Sequence, residues 1–253
     1  MNRPKQIILI GNGLSVEAEQ AKLFEVLKNK LTFGMNTRFQ VNQKLNLPQT
    51  TALNIVDGTF FRDNRKLGLK EAPLILCYKR KEMQEANWNN IIGFDWHYKK
   101  IDFSLKTGQV YSPINNMAFS LSLAHYLLRE GGTIYTLGLD WGAMSMNKID
   151  KRGRTITHAN QELLGHRGVG QTQFTTAKRA EQIFTPFTKT GIKVYNVGLT
   201  SKMPDTIFEK ISYDQFYNML DKEENSQEEL RKWVREEFKT IPHFEGKIPA
   251  IAV

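Results

Sequence analysis

Short apolar runs alternate with longer stretches of helical pattern along most of the chain. The apolar runs predict six strands, at 6–12, 31–36, 51–58, 73–79, 133–140 and 192–198. Helical patterns cover about 16–30, 115–130, 172–190 and 226–239. Strands and helices that alternate in this way predict an α/β fold, with a Rossmann-like, mostly parallel sheet covered by helices on both faces.

Two segments interrupt the alternation and suggest the domain organisation. Residues 142–171 lack apolar periodicity and are rich in glycine and polar residues, which is typical of a lid-like or binding loop. From residue 221 the chain becomes charged, which predicts a surface helix followed by a tail. Residues 1–220 are therefore expected to form a nucleotide-binding catalytic domain. Residues 221–253 pack on its outside or join a partner subunit in a homo-oligomer.

Polar residues follow several of the predicted strands. In a parallel sheet, ligands bind at the carboxyl ends of the strands, so these positions are the first to consider. They are Asn12, Asn36, Asp57, Asp140 with Trp141, and Asn196. Each could be an ordinary turn residue, because Asn and Asp favour turns. Together they predict a binding site at this edge.

The first of these positions lies in the sequence "IGNGLS", where a strand ends in glycines and a helical pattern begins. Gly11, Asn12, Gly13 and Ser15 form this segment. Backbone N–H groups in such a turn commonly hold an anion, so we expect a phosphate here. The spacing is not that of a dinucleotide-binding fingerprint, because position 16 is valine.

A second candidate pair is Asn36 and Arg38, in the sequence "FGMNTRF". An amide beside a guanidinium suits a ribose or a base together with a phosphate. The alternative is a turn that carries an ordinary surface arginine.

His166 is the candidate general base among the five histidines. It lies in "LLGHRGVGQT", where a polar, glycine-rich setting suits an imidazole that titrates near neutral pH. The alternative is a surface histidine in a turn. His125 lies in an apolar helical pattern and is expected to belong to the core. No histidine spacing typical of a metal site occurs, and we expect no metal.

The net charge and the cysteine content limit the binding partners and the cellular compartment that we expect. The net charge of +9 favours polyanionic or phosphorylated partners or an anionic membrane surface, although general solubility would also explain it. The single cysteine, Cys77, excludes a disulfide within the chain and points to a reducing compartment. No apolar stretch reaches the roughly 18 residues that a membrane span needs. We therefore expect a cytoplasmic protein without a transmembrane segment, with peripheral contact with a membrane left open.

Several motifs occur in the same order as in the bacterial sialyltransferases that decorate lipooligosaccharide. "IGNGLS" followed by "FGMNTRF" resembles the opening of these enzymes. The helix after "YSPINN" that runs into "TIYTLGLDWG", and the later "ELLGHRGVGQTQ", resemble their subsequent motifs. A wider group of uncharacterised and pterin diphosphokinase-like proteins shares this frame. The resemblance covers most of residues 6–215 as short motifs.

This resemblance implies roles for individual residues. Asn12 and its neighbouring glycines would hold the phosphate and ribose of a donor, and Asn36 would contact the nucleotide. The remaining donor contacts would come from Asn115 or Asn116, which stand where the family has Ser-Gly, and from Asp140 and Trp141.

The catalytic roles follow from the same resemblance. His166 would deprotonate the hydroxyl of the acceptor. The family uses tyrosines to steady the leaving phosphate, and no tyrosine occurs between 136 and 194. Arg152, Arg154 or Arg167 would supply that stabilisation instead.

The expected activity is that of a metal-independent, inverting glycosyltransferase with a CMP- or UDP-linked sugar donor. The acceptor would be a glycan, such as a glycolipid, or a modified base of DNA. One alternative is an ATP- and magnesium-dependent diphosphokinase that acts on a pterin-like alcohol. The other is a nucleotide-binding module without activity.

Overall fold

The computed structural model describes residues 3–64, 68–78, 86, 88–97, 102–107, 109–111, 115–141 and 177–241. In this part of the chain the strands are β1 Gln6–Ile10, β2 Thr32–Met35, β3 Ala52–Ile55, β4 Ile75–Tyr78, β5 Ile91–His97, β6 Gln109–Tyr111, β7 Thr133–Leu137, β8 Lys193–Val197 and β9 Glu209–Ile211. The α-helices are α1 Gln20–Leu27, α2 Arg38–Lys44, α3 Gly58–Asn64, α4 Asn116–Leu127, α5 Ala177–Thr188, α6 Tyr213–Met219 and α7 Gln227–Lys239. Short 3-10 turns cover Leu14–Val16 and Leu69–Glu71.

All nine strands belong to one sheet, in the order β6-β5-β4-β3-β2-β1-β7-β8-β9. Every neighbouring pair is parallel, which confirms the predicted parallel sheet. β1 lies inside the sheet, between β2 and β7. β2 to β6 extend the sheet on one side of β1, and β7 to β9 extend it on the other. The carboxyl ends of β1 and β7 therefore form the topological switch point.

Helices cover both faces of the sheet, as predicted. In β1, Ile7 and Leu9 point to one face, where they join a core formed with α4, α5 and α7. Ile8 and Ile10 point to the other face, toward α1 and α6. A third apolar cluster joins α2 and α3 to β3 and β4. Because successive strand residues alternate between faces, both layers are anchored by the same short apolar runs.

The structure contains elements that the sequence pattern did not predict: β5, β6, β9, α2, α3 and α6. The helix predicted at about 16–30 is shorter, since a 3-10 turn precedes α1. Asn196 was predicted to follow its strand. In the structure it lies inside β8 and is fully buried. Its amide donates to the Oγ atom of Ser201 at 2.9 Å, so this side chain fastens the end of β8 to the following turn.

Helix α7 packs on the same face as α4 and α5. Leu230, Val234 and Phe238 form its buried stripe. The ring of Phe238 lies 5.0 Å from that of Phe94 in β5 and 5.8 Å from that of Tyr126 in α4. This helix therefore contributes to the main core of the described chain.

The segment between α6 and α7 is held by Lys30 at the amino edge of the sheet. Lys30 is 9% exposed, and its ammonium donates to the carboxylate of Asp221 at 2.9 Å and to its carbonyl oxygen at 2.7 Å. It also donates to the carbonyl oxygen of Glu223. One buried cation thus satisfies three acceptors of the connecting segment.

We expect Lys30→Met to lower the free energy of unfolding by about 2 kcal/mol, because three partly buried acceptors would lose a charged donor. Urea denaturation followed by circular dichroism measures this change. Lys28→Met is the matched control, since the Lys28 ammonium forms an exposed ion pair with Glu25. Equal denaturation midpoints for the two variants would show that the Lys30 contacts do not stabilise the fold.

Candidate functional site

Four asparagines meet at the carboxyl edge of β1, β2 and β3, and we call them the amide cluster: Asn12, Asn36, Asn54 and Asn116. The Asn116 amide donates to the Oδ1 atom of Asn36 at 2.8 Å and to the backbone oxygen of Asn54 at 2.9 Å. The Asn12 amide donates to the backbone oxygen of Met35 at 3.0 Å. The structure thus brings together Asn12, Asn36 and Asn116, which the sequence identified separately.

The backbone of Asn36 adopts an uncommon conformation. Its φ angle is 48°, in the left-handed region that asparagine tolerates better than most residues. Its N–H donates to the backbone oxygen of Asn54 at 3.0 Å, and its side chain accepts from Asn116. Both contacts fix the conformation, which turns the chain from β2 into α2.

Some polar atoms of the amide cluster have no partner among the described residues. They are the Oδ1 atoms of Asn12, Asn54 and Asn116, all of them buried. Most buried polar atoms in proteins are hydrogen-bonded, so unpaired acceptors gathered in one place suit a ligand that carries donors. Sugar hydroxyls and the N–H groups of a base are such donors.

The first turn, residues 11–15, packs directly on the turn after β7, residues 138–141. The N–H of Gly11 donates to the oxygen of Leu137 at 2.8 Å, and that of Gly13 donates to the oxygen of Gly138 at 3.1 Å. A Cβ atom on Gly11 would lie 2.9 Å from the Gly138 oxygen, and one on Gly13 would lie 2.6 Å from the Cγ atom of Asp140. Close packing of two turns therefore requires both glycines, and their N–H groups are engaged within the chain.

Asp140 caps the amino end of the 3-10 turn, next to the glycine segment where the sequence predicts a phosphate. Its carboxylate, 8% exposed, accepts from the N–H of Ser15 at 2.9 Å and from the Ser15 hydroxyl. The hydroxyl of Tyr213 donates to the backbone oxygen of Ser15 at 3.1 Å. Burial, with Asp140 nearby, raises the pKa of Tyr213, so the phenol keeps its proton at neutral pH. Sequence reasoning missed Tyr213, although the "S-x-x-Q" capping pattern from Ser212 marks the start of its helix.

Arg38 is completely buried, so the alternative of an ordinary surface arginine is wrong. Its Nη2 atom donates to the backbone oxygen of Gly11 at 3.0 Å, and the Phe24 ring lies 5.6 Å from its Cζ atom. Burial lowers its pKa to about 10, which leaves the guanidinium charged at neutral pH. Its stem passes Gly34, where a Cβ atom would lie 2.9 Å from the Cγ atom of Arg38.

Other predicted residues have structural contacts in this fold. The Asn115 side chain caps α4 by accepting from the N–H of Ala118 at 3.0 Å, whereas Asn116 lies in the amide cluster. Trp141 packs edge-on against Phe184 of α5, with ring centroids 5.5 Å apart. Asp57 is exposed before α3.

The proposed catalytic residues His166 and Arg167 lie outside the described residues, as do Arg152, Arg154 and all of 142–171. His125 is a core residue, as expected: one ring nitrogen contacts the Leu121 oxygen at 2.8 Å. Burial lowers its pKa to about 4, so it is neutral.

Within the described residues, no group of three or more His, Cys, Asp or Glu side chains has an arrangement that could hold a metal ion. None of their helices combines the length and the apolar character required to cross a bilayer.

The chain matches no protein-family model and no curated protein. It is similar to a solved structure described as the MAf glycosyltransferase from Magnetospirillum magneticum AMB-1, with 9% sequence identity and a TM-score of 0.51. The similarity covers 94% of this chain but only 37% of that protein. The chain therefore has a glycosyltransferase-like α/β fold. The more specific resemblance to sialyltransferases stays a prediction.

Proposed function

We propose that the protein is a glycosyltransferase whose nucleotide-sugar donor binds at the carboxyl edge, between the first turn and the amide cluster. The observation that carries this proposal is the group of buried, unpaired acceptors on Asn12, Asn54 and Asn116. Donor groups on a nucleotide, such as ribose hydroxyls, would satisfy these atoms. A glycosyltransferase-like fold supports the same activity.

In the proposed reaction, His166 takes the proton of the acceptor hydroxyl, whose oxygen then attacks the anomeric carbon of the donor. The bond between that carbon and the leaving phosphate breaks, with inversion. The segment that carries His166 follows Trp141 in sequence. Asp140, two residues before this segment in the sequence, is hydrogen-bonded to Ser15 of the first turn. That connection supports the proposal that His166 works at the donor site.

Charge on the leaving phosphate needs donors or cations. The sequence contains no Asp-x-Asp pair of the kind that would hold a divalent ion. We therefore propose metal-independent transfer, in which backbone N–H groups and Arg152, Arg154 or Arg167 stabilise the leaving group.

The acceptor is proposed to be anionic. Lys79, Arg80 and Lys81 directly follow Tyr78, the last residue of β4, in the sequence. A net charge of +9 also favours an acceptor that carries phosphate or other acidic groups. Transfer assays with an anionic glycolipid and with DNA as separate acceptors would identify its class.

Thermal unfolding with added nucleotides tests the donor site. We expect CMP or a uridine nucleotide to raise the melting temperature by about 5 °C at 100 times its Kd, without added metal. Stabilisation by ATP alone, and only with magnesium, would favour the diphosphokinase instead. No stabilisation by any nucleotide, and no release of nucleotide from a panel of nucleotide sugars, would contradict the proposal.

A pair of variants locates the binding site. Asn116→Leu should abolish the thermal shift, because the substitution removes an unpaired acceptor and the contact that orients Asn36. Asn29→Leu is the matched control, since the Asn29 side chain donates to exposed Glu224 at the opposite edge of the sheet.

A further inference from the structure

Arg38 is a buried cation without a bonded counter-charge. Its Nε and Nη1 atoms have no hydrogen-bond partner among the described residues, and its one bond is to the Gly11 oxygen. Glu17 and Tyr213 act on it electrostatically, and neither hydrogen-bonds to it. An unpaired buried charge destabilises a fold unless some other interaction compensates for it. The position of this cation under the first turn therefore requires an explanation.

The bond from Arg38 determines how one peptide unit is oriented. The Gly11 oxygen and the Asn12 N–H belong to the same peptide, and the described chain contains no cis peptide bond. In a trans peptide the C=O and N–H groups point in opposite directions. Since the Gly11 oxygen points at Arg38, the Asn12 N–H points away from it, and that N–H finds no acceptor among the described residues.

Three of the other N–H groups of the first turn are already engaged. That of Gly11 donates to Leu137 at the end of β7, that of Gly13 donates to Gly138, and that of Ser15 donates to Asp140. The N–H groups of Asn12 and Leu14 have no acceptor among the described residues, so they are the donors that the first turn can offer to a ligand. Of these two, the Asn12 N–H belongs to the peptide whose oxygen is bound by Arg38. A carbonyl that is hydrogen-bonded to a cation also makes the N–H of the same peptide a stronger donor.

We propose that Arg38 is a positioning residue for the phosphate of the donor nucleotide. Its guanidinium fixes the Gly11–Asn12 peptide so that the Asn12 N–H receives a phosphate oxygen, and its charge attracts that phosphate across the peptide. This inference rests on the proposed function, because it assigns the phosphate end of the nucleotide. It differs from direct contact, since Arg38 itself stays buried.

The test compares nucleosides with nucleotides in wild type and variants. Calorimetry gives the Kd values of cytidine and CMP, and of uridine and UMP, and the ratio within each pair measures the contribution of the phosphate. Arg38→Met should reduce that ratio at least tenfold while changing nucleoside affinity less than threefold. A purely structural role would weaken nucleoside and nucleotide equally. Arg38→Lys should restore part of the ratio, because lysine keeps the positive charge but lacks the planar guanidinium with its several N–H donors.

Gln40→Met is the matched control. Gln40 lies in the same helix, is 5% exposed, and has both amide atoms without a partner among the described residues. Its variant should keep the wild-type ratio. An unchanged ratio in folded Arg38→Met would overturn the inference.

A second measurement covers the case in which Arg38→Met does not fold. Inorganic pyrophosphate is titrated into isotope-labelled wild type, and the Asn12 amide resonance should shift more than those of Gly11, Gly13 and Ser15. No shift at Asn12 would overturn the inference. If pyrophosphate shifts the Asn12 amide resonance but no nucleoside or nucleotide binds, the proposed function is wrong, whereas the anion site at Asn12 is confirmed.

Discussion

Gly13→Ala is expected to lower the free energy of unfolding by about 3 kcal/mol, because a Cβ atom has no room between the two packed turns. It would collide with the Gly138 carbonyl oxygen and lie 2.6 Å from the Cγ atom of Asp140. The cost is steric and not conformational, since the φ angle of Gly13 is −65°. Separating the turns would also break the bonds between Ser15 and Asp140, so nucleotide binding should weaken together with stability.

Denaturation by urea measures this loss, and Gly191→Ala is its control. A Cβ atom on Gly191 meets nothing within 4 Å, so that variant should keep wild-type stability or gain slightly. If Gly13→Ala unfolds at the same urea concentration as Gly191→Ala, the close packing of the two turns is not a requirement of the fold.

His166→Ala is expected to slow glycosyl transfer by about 10²-fold or more, the usual contribution of a general base. Nucleotide affinity should stay unchanged, because the proposed role of the imidazole concerns the acceptor hydroxyl. An imidazole must be neutral to accept a proton, so wild-type transfer should rise between about pH 5 and pH 7.5. This rise should disappear in the variant.

Single-turnover transfer across a pH series checks both effects. His158→Ala, in the same segment, is the control and should retain the wild-type pH profile. A His166→Ala variant with wild-type rate and pH profile would remove the histidine from the mechanism while leaving the donor site in place.

The longer, strongly apolar elements of the fold were predictable from the sequence. β1 and β4 are nearly continuous apolar runs, and such runs are typical of parallel strands buried on both faces. β5 was missed because its sequence, "IIGFDWH", combines a glycine, an acidic residue and a histidine with apolar residues. α2 was missed because Arg38, Gln40 and Asn42 are buried in it, so its pattern lacks an apolar stripe.

The sequence allowed several residues of the candidate site to be predicted, but not the hydrogen bonds that join them. Asn12 and Asn36 could be found because each follows a predicted strand, whereas Asn116 was implied by the resemblance to the sialyltransferases. The hydrogen bonds from Gly11 and Gly13 could not be anticipated, since their acceptors, at Leu137 and Gly138, lie more than a hundred residues away in the sequence. Likewise, the hydroxyl of Tyr213 reaches Ser15 from an element near the other end of the chain.

The interior position of β1 has a consequence for biosynthesis. β1 leaves the ribosome more than a hundred residues before its partner β7, which begins only at Thr133. Until β7 emerges, one side of this mostly apolar strand has no neighbour, and exposed strand edges of nascent chains promote aggregation. The yield of this protein in cells should therefore depend on chaperones that shield its amino-terminal half during synthesis.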